Sequence, residues 1–551
     1  MKKYILTLTM AALSAALFAA PARRAFTDCT LQDGTTISLT LAGDEFAHWY
    51  ESADGTIYTR NANGTFSLSA ATHTDMSQRR KVSLRYKNAQ QRRARKEVGV
   101  KPNLAPRGVV ILVNFKDMQM QANHTLEVFD ELFNSDTCTV NKFDGKDYPS
   151  ATEYFKSQSN GLYAPQFDVF GPVTLTKNYQ YYGQNDDDGN DMYATDAVIE
   201  ACILAKEQYP ELNFANYDSD GDELVDFIYV VYAGEGEASG GNENTIWPHN
   251  YQILYTVLPF NEEGEYDPEN GERWSCCYTE EDVVIDDVVL NNYAMSSELM
   301  GDELGGIGTL CHEFGHVMGL PDLYDTEYGS NYKQQLTPNE WNIMDGGSYN
   351  GNGHCPPNYD PWEKFFMGWI TPVNPGDSAQ AITLYANGSD NYQAYQINAS
   401  GILQEATQAG KNYYIENRQQ QGWDEYVPAA GMLIWMVNFN EQAWEYNAPN
   451  NTAGAPKYTL VIPSGKKIGW DYGEKNVWPY RNTNSWEGIS GKPLKDITRS
   501  GDLIDLIYIS DPNEQAVETT TADTRATKRI ENGQIIIRRG DKQYNILGVI
   551  Q

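Results

Sequence analysis

In the stretch CHEFGHVMGLPD, residues 311–322, two histidines stand four positions apart with a glutamate beside the first. Positions i and i+4 share one face of an α-helix. The pair can therefore serve one cation only if the segment is helical and that face is turned inward. The spacing predicts a helix that ends at Gly319, where a residue free to take a left-handed conformation can reverse the chain. Glu313 falls roughly 100° round the axis from His312. That puts its carboxylate beside the ion rather than on it, placed to take a proton from an attacking water. Histidine makes up only 7 of 551 residues, which argues against chance assembly of His-Glu-x-x-His. The plainer alternative is a core helix whose histidines pack or cap without metal.

A hydrolytic zinc site takes three protein ligands and keeps a further position for water. Three residues compete to be the third. Asp322 follows Gly319 after a short loop. Glu340, in NEWNIMD, imitates the glutamate that thermolysin-like enzymes carry on a second helix. Its surroundings, LTPNEWNIMDGGSYNGNG, are rich in Pro, Gly and Asn and read as loop, which favours Asp322. His354 is more remote and reads as a loop residue.

A second constellation is acidic. In DSDGDELVD, residues Asp218, Asp220, Asp222 and Asp226 occupy positions 1, 3, 5 and 9 of an EF-hand-like loop, but position 12 is Tyr229 where a bidentate glutamate belongs. Hard oxygens at this density favour Ca²⁺; the alternative is an Asp-rich turn that caps structure without metal. NDDDGND, residues 185–191, reads as an acidic loop ahead of a helix. The net charge of −34 fits carboxylate-bound cations and excludes nucleic acid or an anionic membrane as natural partners. Seven cysteines, two of them adjacent, do not form a disulfide framework. Cys29 is one more conceivable zinc ligand, with no surrounding motif to support it.

A chain of this length with 41% hydrophobic residues should form two to four globular domains. Lys2, Lys3, an apolar run to Ala20 and a small-x-small site read residues 1–22 as an export signal; a membrane anchor is the alternative. No later segment is apolar for long enough to span a bilayer. Residues 23–104 read as a β-rich pro-segment, with hairpins at Asp54-Gly55 and Asn63-Gly64, followed by a basic linker. Within that linker, nine of the eighteen residues 79–96 are Lys or Arg, a site for an activating trypsin-like protease. Residues 105–375 mix helices and strands without strict alternation, predicting an α+β catalytic domain with a mixed sheet. Residues 376–510 are strand-rich and read as a β domain packed on the catalytic one, or fused to it. Residues 511–528 read as a flexible linker, and residues 529–551 as two strands round Gly540-Asp541.

The stretch GTLCHEFGHVMGLPDLYD resembles the secreted bacterial metalloproteases of the immune inhibitor A type, relatives of the metzincins. WNIMDGG is similar to their Met-turn, which implies that Met344 lies beneath the metal ligands. ATEYFKSQSNGLYAPQFDVFGPVTL, YDSDGDELVDFIYVVYAG and ENRQQQGWDEYVPAAGMLIW also look like family segments, so the resemblance covers about residues 105–510. It implies catalytic zinc on His312, His316 and Asp322, with Glu313 as general base, and protein or peptide substrates. The third ligand is histidine in most other metzincins, a departure shared with this family. Together these features predict a secreted zinc endopeptidase made as a zymogen; the alternative is a surface adhesin that works through its β domain. The tail, with QIIIRRG and DKQYNILG, resembles sorting segments of the type IX secretion system, which implies secretion machinery as a partner.

Overall fold

The computed structural model describes residues 18–76, 107–253, 283–326, 337–464 and 472–509, apart from isolated positions and the segment 186–190. It also describes the backbone of short strands at Leu258–Phe260, Glu272–Trp274, Thr527–Glu531, Gln534–Arg539 and Lys542–Tyr544. Residues 1–17 of the expected export signal and the whole basic stretch 79–96 lie outside the described residues.

A mixed sheet forms the frame of the catalytic region. Strands β1 (Arg107–Asn114), β2 (Gln166–Thr174), β3 (Ile228–Glu235) and β5 (Asn292–Met300) run parallel in the order β2-β1-β3-β5. Strand β4 (His249–Gln252) adds antiparallel to β5. The unbroken apolar run of β1 follows from its place: a strand buried on both faces has no polar side to show. Val110 and Leu112 point to the side of helices α1 (Leu126–Asn134) and α2 (Ala151–Gln158). Val109, Ile111 and Val113 point to the side of α3 (Ala194–Gln208). Helix α4 (Gly308–Val317) carries the two histidines and packs on the α1/α2 side, where Phe314 meets the rings of Phe155, Phe167 and Phe227 at 5.0–5.4 Å between centroids. Next along the chain is helix α5 (Pro361–Phe366), opened by an Asp360–Glu363 capping box.

The strand-rich region is fused to this frame rather than set apart from it. Strands β6 (Gln380–Leu384), β11 (Leu494–Ser500) and β12 (Leu503–Tyr508) form one antiparallel sheet. Strands β7 (Tyr395–Asn398), β8 (Gly410–Arg418), β9 (Gly431–Phe439) and β10 (Tyr458–Leu460) form another. The period-two alternation of β8 and β9 serves two cores. Ile415, Met432 and Ile434 pack with Ile382, Leu384 and Trp486. Tyr414, Leu433 and Trp435 join Trp362, Phe314 and Met344 in the catalytic core. Beside that seam a fully buried Arg418 bridges Glu416 and Asp424 at 2.8 Å each, and Asp424 accepts from the Asn358 backbone at 3.0 Å. Removing one partner of such a buried pair strands the other, at a cost of about 3–5 kcal/mol.

The N-terminal module is the expected β meander, with strands Thr27–Thr30, Thr36–Asp44, Ala47–Glu51, Ile57–Arg60 and Phe66–Leu68 pairing in sequence order. Gly55 and Gly64 take φ of 87° and 81° in the two anticipated hairpins. The module docks on the catalytic region at two places. Ala42, Trp49, Ile57 and Met76 enclose Tyr324, and Ala22 and Leu41 pack on Ala238 and Trp247. Ahead of the module, Phe18–Ala19 pairs antiparallel with the free edge of β4.

The tail differs from the two strands expected. It forms three, Thr527–Glu531, Gln534–Arg539 and Lys542–Tyr544, which pair with one another, so ordered backbone begins inside the stretch read as linker. Among the described residues, no helix is long and apolar enough to cross a membrane.

Candidate active site

Helix α4 is buried along its length from Gly308 to His316, which fixes the direction of its histidines. Gly319 closes it at φ 93°: its N–H reaches the His316 carbonyl at 2.9 Å, and the Leu320 N–H reaches the Gly315 carbonyl at 3.1 Å. These are the two bonds of a Schellman cap. The reversal brings the Leu320 carbonyl onto His316 Nδ1 at 2.8 Å, while the Ile343 carbonyl meets His312 Nδ1 at 2.7 Å. A carbonyl only accepts, so each Nδ1 carries a proton and each Nε2 is turned to the same point.

Asp322 completes the convergence. His312 Nε2 and His316 Nε2 lie 3.2 Å apart, and Asp322 Oδ1 lies 3.3 Å from the first and 3.4 Å from the second. Ligands held about 2.0–2.1 Å from a tetrahedral zinc stand roughly 3.3–3.4 Å from one another, so this donor set fits the ion. Glu313 is also near, but its carboxylate is 4.0 Å from His316 Nε2, outside the triangle. Neither Glu313 oxygen has a hydrogen-bond partner, although the residue is fully buried. Burial pushes its carboxyl up to about 8. Burial also pushes His316 down to about 4. For His312 burial opposes the charge, but the hydrogen bond to Asp322 and the neighbouring carboxylates outweigh it and lift the imidazole to about 9. Asp322 is held well below the carboxylate range, against its burial, by the two imidazoles.

Met344 lies under the motif. A Cβ added to Gly315 would meet Met344 Sδ at 2.6 Å, so the position between the two histidines admits no side chain without movement of the methionine. The Met344 carbonyl also accepts from the Leu323 N–H at 2.8 Å, joining the turn round Met344 to the loop that carries Asp322. Glu340 is exposed on the short 3-10 turn Asn339–Trp341, while its neighbour Trp341 is buried. His354 is buried elsewhere, stacked on Phe143 and bonded through Nδ1 to Asn141 Oδ1 at 2.7 Å. Cys29 sits on the outermost strand of the N-terminal module.

Two residues at the site escape a reading of the sequence. Tyr349 is half-buried and close enough to Glu313 for that charge, after desolvation, to push its phenol up; its hydroxyl donates to the Pro21 carbonyl at 2.7 Å. Asn447 holds Asp322 through two hydrogen bonds of 2.6 Å. Tyr349 sits in the Gly-rich run after Met344, a usable cue; nothing in the sequence links position 447 to position 322.

At the acidic loop, Asp218 accepts from the backbone N–H groups of Gly221 and Glu223 at 2.8 and 3.0 Å, and Asp226 accepts from that of Ser219 at 2.9 Å. Asp220 and Asp222 lie outside the described residues.

Residues 107–369 match the family model of the immune inhibitor A peptidase M6 catalytic domain. Pre-pro-metalloprotease PrtV of Vibrio cholerae serotype O1 is 28% identical over 244 residues, covering 40% of this chain and 24% of the relative. Immune inhibitor A of Bacillus thuringiensis subsp. alesti is 27% identical over 244 residues, covering 41% of this chain and 32% of the relative. The chain thus spans about a quarter to a third of the length of the curated relatives it matches. The matched stretch contains His312, Glu313 and His316, and this part of the chain is similar to the catalytic domain of immune inhibitor A-type metallopeptidases.

Proposed function

We propose that this chain is a secreted zinc endopeptidase, made as a zymogen, that cleaves protein or peptide substrates. The observation that carries the reading is the triangle of His312 Nε2, His316 Nε2 and Asp322 Oδ1, with edges of 3.2–3.4 Å, beside the unpartnered carboxylate of Glu313. His312, His316 and Asp322 would hold a zinc ion there, which would supply Lewis acidity for a water and a peptide carbonyl. His312 and His316 keep their orientation through the Ile343 and Leu320 carbonyls, and Met344 supports the helix turn between them. Glu313 takes a proton from the attacking water and delivers it to the departing amine. The imidazoles ligate only when unprotonated at Nε2, so activity falls in acid. Metal analysis of the purified protein, with casein cleavage before and after a zinc chelator and on return of zinc, tests this. One zinc per chain and activity lost and regained with it are expected; cleavage indifferent to the chelator defeats it.

The zymogen reading is supported by the docked N-terminal module, whose Ala42, Trp49, Ile57 and Met76 enclose Tyr324, two positions from Asp322. Cleavage within residues 79–96 should raise activity, and full activity in a secreted form that begins near Arg23 would count against it. Calcium at Asp218, Asp220, Asp222 and Asp226 is proposed as a structural ion. Export by a signal at residues 1–22 and sorting by the tail complete the reading; deletion of residues 529–551 should strand active, equally stable enzyme inside the cell envelope.

A further inference from the structure

The residue that aims the third ligand comes from the strand-rich region. Asn447 follows helix α6 (Glu441–Glu445) and takes φ 51°, a left-handed conformation that asparagine tolerates better than most residues. Its amide closes a ring with Asp322. Oδ1 accepts from the Asp322 backbone N–H at 2.6 Å, and Nδ2 donates to Asp322 Oδ2 at 2.6 Å. The Tyr324 hydroxyl donates to the same Oδ2 at 3.2 Å. The other carboxylate oxygen, Oδ1, is the one that faces His312 and His316. The loop around Asn447 is tied down in the same way. Asn450 Nδ2 donates to the Leu323 carbonyl at 2.6 Å, the Thr326 N–H donates to Asn451 Oδ1 at 3.0 Å, and Thr326 Oγ1 donates to the Asn447 carbonyl at 3.1 Å.

We propose that Asn447 is a positioning residue for the metal centre: by occupying Asp322 Oδ2 it confines the aspartate to one-oxygen ligation through Oδ1. This rests on the zinc peptidase reading. A carboxylate with both oxygens free can turn to grip a cation with both, raising the coordination number and crowding the place a water needs. An amide donor on the distal oxygen opposes that turn, and the matching acceptor on the backbone fixes the hinge about which it would occur. Outer partners of metal ligands act on affinity in this manner. The residue type follows: aspartate at 447 keeps the acceptor but sets a charge where the donor stood, and alanine removes both. It also follows that the strand-rich region is part of the catalytic apparatus, since the loop between β9 and β10 completes it.

The test uses the full chain with Asn447→Ala, Asn447→Asp and, as control, Asn450→Ala, which loosens the same loop without touching Asp322. Zinc affinity is measured by competition with a chromophoric chelator, the coordination number by the visible spectrum of the cobalt-substituted protein, and metal-free stability by thermal unfolding. Both Asn447 variants should lose about 10–100-fold in zinc affinity. Their cobalt bands should weaken and shift as a second carboxylate oxygen enters. Asn450→Ala should lower the metal-free melting temperature and leave affinity and spectrum unchanged. Wild-type affinity and wild-type cobalt bands in both Asn447 variants overturn the proposal while leaving the peptidase reading intact. So does a loss of affinity in Asn450→Ala equal to that in Asn447→Ala, which would mean the loop acts only as packing. A wild-type protein that takes up no zinc fails the peptidase reading and the proposal with it.

Discussion

The two stretches of this chain that read as metal sites, the His-Glu-x-x-His helix and the Asp-rich loop, differ in what their polar atoms are doing. On α4 each imidazole spends Nδ1 on a carbonyl and turns Nε2 to a common point, and the buried Glu313 carboxyl has no protein hydrogen-bond partner. In the loop, both oxygens of Asp218 already accept backbone N–H groups, and Asp226 accepts a third. The first arrangement leaves the buried Glu313 carboxyl without a protein partner, a cost that a bound ligand or water removes. The second is a turn already satisfied in large part by its own backbone, to which a cation is an addition. Density of ligating residue types is the same kind of signal in both; the orientation of lone pairs separates them.

The largest expected effect breaks the chemistry without touching the metal. Glu313→Ala should lower casein cleavage by at least about 10²–10⁴-fold while zinc content stays at the wild-type level. Retained cleavage above a few per cent would remove the general-base role. Next, Asp322→Ala should lose zinc on dialysis, whereas Glu340→Ala, altered at an exposed side chain, should keep it. The reverse pattern would move the third ligand to the 3-10 turn. Gly315→Ala drives a Cβ against Met344 Sδ and should cost about 1–3 kcal/mol of stability, read by thermal or urea unfolding. A neutral outcome would mean that the Met-turn is not tightly packed beneath the histidines.

The smallest effect belongs to the loop. Calcium well above its dissociation constant should raise the melting temperature of the wild type, by a stabilisation of about 2.7 kcal/mol at a hundredfold excess. Asp218→Asn should abolish that gain and also cost about 1 kcal/mol without calcium, through the weakened turn. If calcium shifts both proteins equally, the loop is a metal-free cap and the contrast with α4 becomes complete.

Much of the frame was legible because it rests on local rules. The continuous apolar run of β1, the helix α4 and its stop at Gly319, and the hairpins at Gly55 and Gly64 each follow from periodicity or from a backbone conformation that few residues accept. The Pro- and Gly-flanked stretch round Glu340 was likewise readable as loop, and it is a 3-10 turn with Glu340 outside. One expectation needed revision, because strand-pairing partners are chosen in three dimensions: the tail gained a third strand.

The sequence by itself determined which side chains could hold a metal and which could act as base, because the i, i+4 spacing and the glycine stop are properties of the local chain. Only the tertiary structure decided that Asp322 and not Glu340 faces the imidazoles, that Met344 fills the space beside Gly315, and that Asn447 grips Asp322 across 125 positions of sequence. Those contacts join segments distant in the chain, and a local spacing rule carries no information about which distant carboxylate, sulfur or amide the folded core brings within 3 Å.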